Sequence, residues 1–201
     1  NNQYITGTTS WRSITVNKTG GNLYIGTNLI ISNGVTLTAG NIVYCSGTSQ
    51  DILKKNHPGN IIIEGVGTIL NITRNTVISG NITVNEGATW NNPDNKTITL
   101  SGDLDNNGTF NAGTGNHTFI GSSKNITGTS STTIPKLIIN GSYSNNLSDT
   151  NPLIITTSLS GSGSLTQNSN SGLIISGTIS LTGFVASASG NKVTYNGTTP
   201  Q

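Results

Sequence analysis

Charge is scarce in this chain. Its 201 residues carry 9 Lys or Arg and 7 Asp or Glu, 8% of the total against about 25% in ordinary globular domains. A formal net charge of +2 is too small for charge-driven disorder. It is also too dispersed for the clustered basic face of a nucleic-acid binder or the polybasic run of a membrane-surface helix. Good helix formers are nearly missing, with 5 Ala and no Met, so a helical protein is excluded. Apolar runs such as Ile61-Ile62-Ile63 stop at three or four residues, far short of the roughly 20 that a spanning helix requires, and no membrane insertion is expected. A single cysteine, Cys45, excludes an internal disulfide framework. It reads either as a small buried hydrophobe or as a thiol waiting for another chain, an intermolecular disulfide candidate.

What remains is 29 Asn, 32 Thr, 24 Ser, 26 Gly and 25 Ile. About half of the hydrophobic residues are Ile or Val, whose branched side chains fit a pleated surface. The lack of Met even at position 1 is read as a mature secreted chain whose signal peptide has been removed. The low charge points the same way, to an extracellular cell-surface location.

Short apolar patches recur, each closed by Gly, Asn-Gly or Ser-Gly. Examples are Leu29-Ile30-Ile31-Ser32-Asn33-Gly34-Val35-Thr36-Leu37 and Thr76-Val77-Ile78-Ser79-Gly80-Asn81-Ile82-Thr83-Val84. Anchors at Ile31, Ile78, Leu100, Ile139, Ile155 and Ile175 stand 47, 22, 39, 16 and 20 residues apart, the long intervals being close to double the short ones. This predicts an all-β solenoid or β-arch built from short strands in coils of roughly 20 residues. About nine coils would stack at about 4.8 Å. Alternation within patches, as in Ile82-Thr83-Val84 and Ile98-Thr99-Leu100, puts one face inward and leaves Thr and Asn to form ladders outside. A β-sandwich shares the alternation, but the repeated patch favours a solenoid, either three-sided or a flatter two-sheet arch. One repetitive domain spans 1–201.

The segment 45–59 breaks the pattern. It concentrates Asp51, Lys54, Lys55 and His57 around the only cysteine, and reads as a surface insertion. A single helical turn over Asp51 to Lys55 would be capped by Thr48 or Ser49 and ended by His57-Pro58-Gly59. As a loop it is the candidate interaction element.

Enzyme signals are poor, and no catalytic or cofactor-binding residues are assigned. The chain has no nucleophile elbow, no His-x-x-x-His, no Cys-x-x-Cys and no phosphate-cradling loop. His57 and His117 sit near turn residues and read as surface histidines. Only Glu86 with Asp103 and Asp105 could gather as acids for glycoside chemistry, without basic company. Asp103, Asp105 and Asn107, ahead of Gly108, match the first half of a calcium loop, but position 12 is Thr114. Asn107-Gly108 is equally a turn signal. Ten Asn-x-Ser/Thr sites occur, at Asn17, Asn71, Asn81, Asn95, Asn107, Asn116, Asn125, Asn140, Asn146 and Asn196, candidate glycosylation sites. Composition alone accounts for roughly eight. Thr-x-Thr pairs at Thr36, Thr97 and Thr127 do not keep a common phase with the anchors, as an ice-binding face would require.

From Gly102 onward the text Gly-Asp-Leu-Asp-Asn-Asn-Gly-Thr-Phe-Asn-Ala-Gly-Thr-Gly-Asn-His-Thr-Phe-Ile-Gly resembles the repeats of secreted microbial surface proteins, filamentous adhesins and autotransporter-like β-solenoids. The Asn/Thr-rich composition with one odd cysteine also resembles subunits of archaeal sheaths, S-layers and surface filaments. That resemblance implies self-assembly rather than catalysis. The expected partners are further copies of the chain, through strand-edge or lateral β contacts. The alternative is an adhesin segment that binds a surface glycan.

Overall fold

The computed structural model describes every residue except 1, 8–9, 12, 17–19, 27–29, 32–34, 38–39 and 198–201. The described residues form no helix. The chain winds as a β-solenoid of about nine turns, visiting three parallel ladders in each coil. Face one runs through Gln3–Ile5, Asn22–Ile25, Asn41–Tyr44, Ile61–Ile63, Ile82–Val84, Leu104–Asn106, Lys124–Thr127 and Ser142–Asn145, then 164–167 and 183–185. Face two runs through Asn56–His57, Thr76–Ile78, Ile98–Leu100, Asn116–Phe119 and Lys136–Ile139, then 158–160 and 178–181. Face three runs from Gln50–Asp51 through Ile69–Asn71, Thr89–Asn91, Thr109–Asn111, Thr132–Thr133, Leu153–Ile155 and Gly172–Ile175 to Lys192–Tyr195. In the first two coils, the pairs Ser10–Trp11 with Ile30–Ile31 and Ile14–Val16 with Val35–Leu37 take the corresponding places in chain order.

Register fixes the period. Leu23 stands beside Ile42 and Ile61 beside Ile82, and hydrogen bonds between neighbouring coils link residues 19 to 22 apart. Because side chains alternate along a strand, every second residue points inward and stacks on its equivalent one coil away. Leu23, Ile42, Ile61, Ile82, Leu104 and Ile126 form one such column. On face three, Leu70, Trp90 and Phe110 are successive rungs, the two aromatic rings stacked at 5.5 Å. The inward residues make one apolar cluster from Val16 to Leu181.

The corner between faces two and one is held by a column of glycines. A Cβ on Gly59, Gly102 or Gly141 would run into the carbonyl of Gly40, Gly80 or Gly121 in the coil before. The recurrent Ser-Gly and Asn-Gly pairs therefore serve close approach of stacked backbones, in addition to marking a turn. At 158–167 the two faces merge into one continuous strand.

Period and strand character match the sequence expectation, but its phase does not. Ile78, Leu100 and Ile139 lie on face two, whereas Ile31, Ile155 and Ile175 belong to strands at the place of face three. The odd intervals of 47 and 16 residues are switches between faces. Nor is 45–59 an insertion with a capped helical turn. Gln50–Asp51 pairs with Leu70 and Asn71, and Asn56–His57 with Val77 and Ile78. Gln50, Ile52, Leu53 and His57 are all buried. The charged residues interrupt the sequence pattern, yet the inward positions keep their spacing, so the segment is an ordinary coil.

Candidate functional site

The polar side chains most often engaged are those that join one coil to the next. At the start of face one, Asn2 Oδ1 accepts from Asn22 N, and Asn22 Oδ1 accepts from Asn41 Nδ2. Asn41, Asn60 and Asn81 then accept from the backbone N–H of Asn60, Asn81 and Asp103 at 3.3, 2.8 and 2.9 Å. Asp103 Oδ1 continues the line by accepting from Asn125 N at 2.8 Å. A second ladder on face three joins Ser49, Asn71 and Asn91. Each bond contributes about 1 kcal/mol net, and the periodic stacking makes them repeat.

The calcium candidate lies within the same arrangement. Asp105 lies on the strand Leu104–Asn106 and Asp103 immediately before it. Asp105 Oδ1 accepts from Thr127 Oγ1 at 3.1 Å and its Oδ2 from Asn107 Nδ2 at 3.0 Å. Asn107 Oδ1 accepts from both N and Oγ1 of Thr129. Asp103 Oδ1, Asp105 Oδ1 and Asn107 Oδ1 thus accept from the next coil, and Asp105 Oδ2 from Asn107 within its own. Among the described residues no group of three or more His, Cys, Asp and Glu is placed to hold a metal ion.

The interaction candidate 45–59 is divided by the fold. Asp51 and Lys55 are exposed and Lys54 half-buried, while His57 points into the core. The reading of both histidines as surface residues is overturned. His117 is fully buried between Ile98 and Leu137, its ring edge toward Phe110 at 6.3 Å. Its Nδ1 lies 3.1 Å from Gly115 O, which fits a neutral ring donating to that carbonyl. Burial pushes the pKa of each histidine down to about 4. Cys45 is half-buried and its thiol donates to Ile25 O at 3.4 Å. Burial, then the Glu64 carboxylate, raises its pKa, which lowers its reactivity.

The buried tyrosines tie coils together. Tyr143 Oη accepts from Gly121 N and lies 3.1 and 3.0 Å from the carbonyls of Leu100 and Gly102, with its pKa pushed up to about 12 by burial. Inside the face-one-to-three turn, Asn145 Nδ2 donates to Gln167 Oε1 and Gly172 O, both at 2.8 Å.

Of the glycosylation candidates, Asn71, Asn107, Asn125 and Asn146 use their amide nitrogens as donors within ladders. Asn81, Asn95, Asn140 and Asn196 use their side-chain oxygens as acceptors. Asn116 is exposed on face two, and Asn17 lies outside the described residues. The chain matches no protein-family model, no curated protein and no solved structure.

Proposed function

We propose that the chain is a self-assembling structural subunit of an extracellular surface layer, sheath or filament, joined to copies of itself by lateral or strand-edge β contacts. One observation carries this reading. A rigid parallel solenoid exposes Thr, Ser and Asn where β-proteins that stay apart carry lysines and glutamates. Its amides and carboxylates are meanwhile engaged in building the coil stack. The surface is suited to packing and the polar groups to rigidity. A Cys45 bridge between chains is a separable part of the reading, because the thiol must first leave Ile25 O. Static light scattering of the full chain tests the reading. Mass should climb above 20.7 kDa as concentration rises, and a constant monomer mass up to about 200 µM, where binding of about 5 kcal/mol would already show, would refute it. Bands that persist on reducing gels would exclude the disulfide as the link.

A further inference from the structure

The geometry points to face two as the surface through which two copies pack, back to back, about a two-fold axis in the plane of contact. This rests on the self-assembly reading and assigns it an interface. Six successive coils of this face present outward positions 75, 77 and 79; 97, 99 and 101; 116, 118 and 120; 136, 138 and 140; 158, 160 and 162; and 178, 180 and 182, all exposed or half-buried. Of these 18 positions, 11 are Ser or Thr and one, Lys136, is charged. Face one differs, since Glu64, Asp103 and Asp105 stand on its outer side. Face three differs in its outward residues, which include Asp51, Asn71, Asn91 and Asn111, with Asn71 and Asn91 linked in an amide ladder.

The pattern within the plate is that of an interface. Its two middle coils carry Ile120, 46% exposed, and Ile138, half-buried. Thr118 pairs with Ile138, so the two isoleucines are diagonal neighbours about 7 Å apart. Around them lie hydroxyls and amides, an apolar centre inside a polar rim. Lys136 begins its strand beside Pro135, at the margin, where its ammonium can stay in water.

The size is close to that of an interface. Six coils at about 4.8 Å, each with three outward side chains about 6.6 Å apart, make a plate of about 570 Å². Specific interfaces bury about 600–1,000 Å² per partner, so the plate with the side chains at its margin reaches the lower end of that range. Small side chains on a parallel sheet allow a second sheet to approach at about 10 Å. A two-fold axis passing between Ile120 and Ile138 brings the isoleucines of both copies together, as an isologous contact requires.

Sedimentation velocity of the full chain from 1 to 200 µM (a concentration range of roughly 200-fold, or about 3 kcal/mol) tests the assignment. Wild-type should associate. Ile138→Lys and Thr118→Arg should each weaken association at least about tenfold, with unchanged circular dichroism. Thr83→Lys, on the outer side of face one, should leave it intact. If wild-type associates and both face-two variants associate equally well, the interface is wrong while self-assembly stands. If wild-type remains monomeric throughout, the functional reading fails and takes the interface with it.

Discussion

Acid should loosen the solenoid through its two buried histidines. In the folded chain burial holds His57 and His117 near pKa 4, while in the unfolded chain both titrate near 6.5. Below 6.5 the unfolded state therefore binds protons that the folded state refuses. Stability is complete above pH 6.5, falls as pH drops from 6.5 to 4, and levels off below 4. A depression from 6.5 to about 4 corresponds to about 3 kcal/mol for each ring, at about 1.4 kcal/mol per unit. That is large beside total stabilities of about 5–15 kcal/mol. Urea midpoints at pH 7.5, 5.5 and 4.5 should fall steeply. In His117→Leu, which fills the same apolar site between Ile98 and Leu137, the fall should be about halved. The two ring Hε1 signals should show no titration above pH 5 by NMR. Signals titrating near 6.5 in the folded protein, or a midpoint indifferent to pH, would refute the placement of these rings in the core.

The glycine corner gives a second test. Gly102→Ala drives a Cβ into the Gly80 carbonyl and should cost about 3 kcal/mol by urea denaturation. Gly67→Ala, at φ +81 but in open space, meets no clash and should cost about 1–2 kcal/mol, from the left-handed backbone alone. Asn81→Ala removes the acceptor for Asp103 N–H. Exchange of that amide should quicken about fivefold, the equivalent of about 1 kcal/mol.

The period of the fold is legible in the sequence because β-branched residues, alternation and Gly-closed corners all recur on the same scale. The phase is harder to read. Leu-Ile-Ile followed by two turn residues serves the face-two-to-one corner at Leu137–Ile139 and the face-three-to-two corner at Leu173–Ile175. Only pairing with neighbouring coils distinguishes them. His57 was misread because Pro58-Gly59 marks a corner without saying which way the preceding side chain points. Its spacing of one coil from Ile78, with which it is in register, is the signal that could have placed it inside. The Asp103–Asn107 motif is ambiguous for a related reason. Asp, Asn and Gly at alternate positions describe a cation loop and an outward-facing ladder equally well, and the ladder's donors, Thr127, Thr129 and Asn125, stand 22 residues away.

The claim that matters most is that this charge-poor solenoid associates with copies of itself. Negative-stain electron microscopy of the full chain at high concentration tests it most directly. Ordered sheets, tubes or filaments two solenoids wide are expected. A field of separate, single-solenoid particles at every concentration would contradict the account.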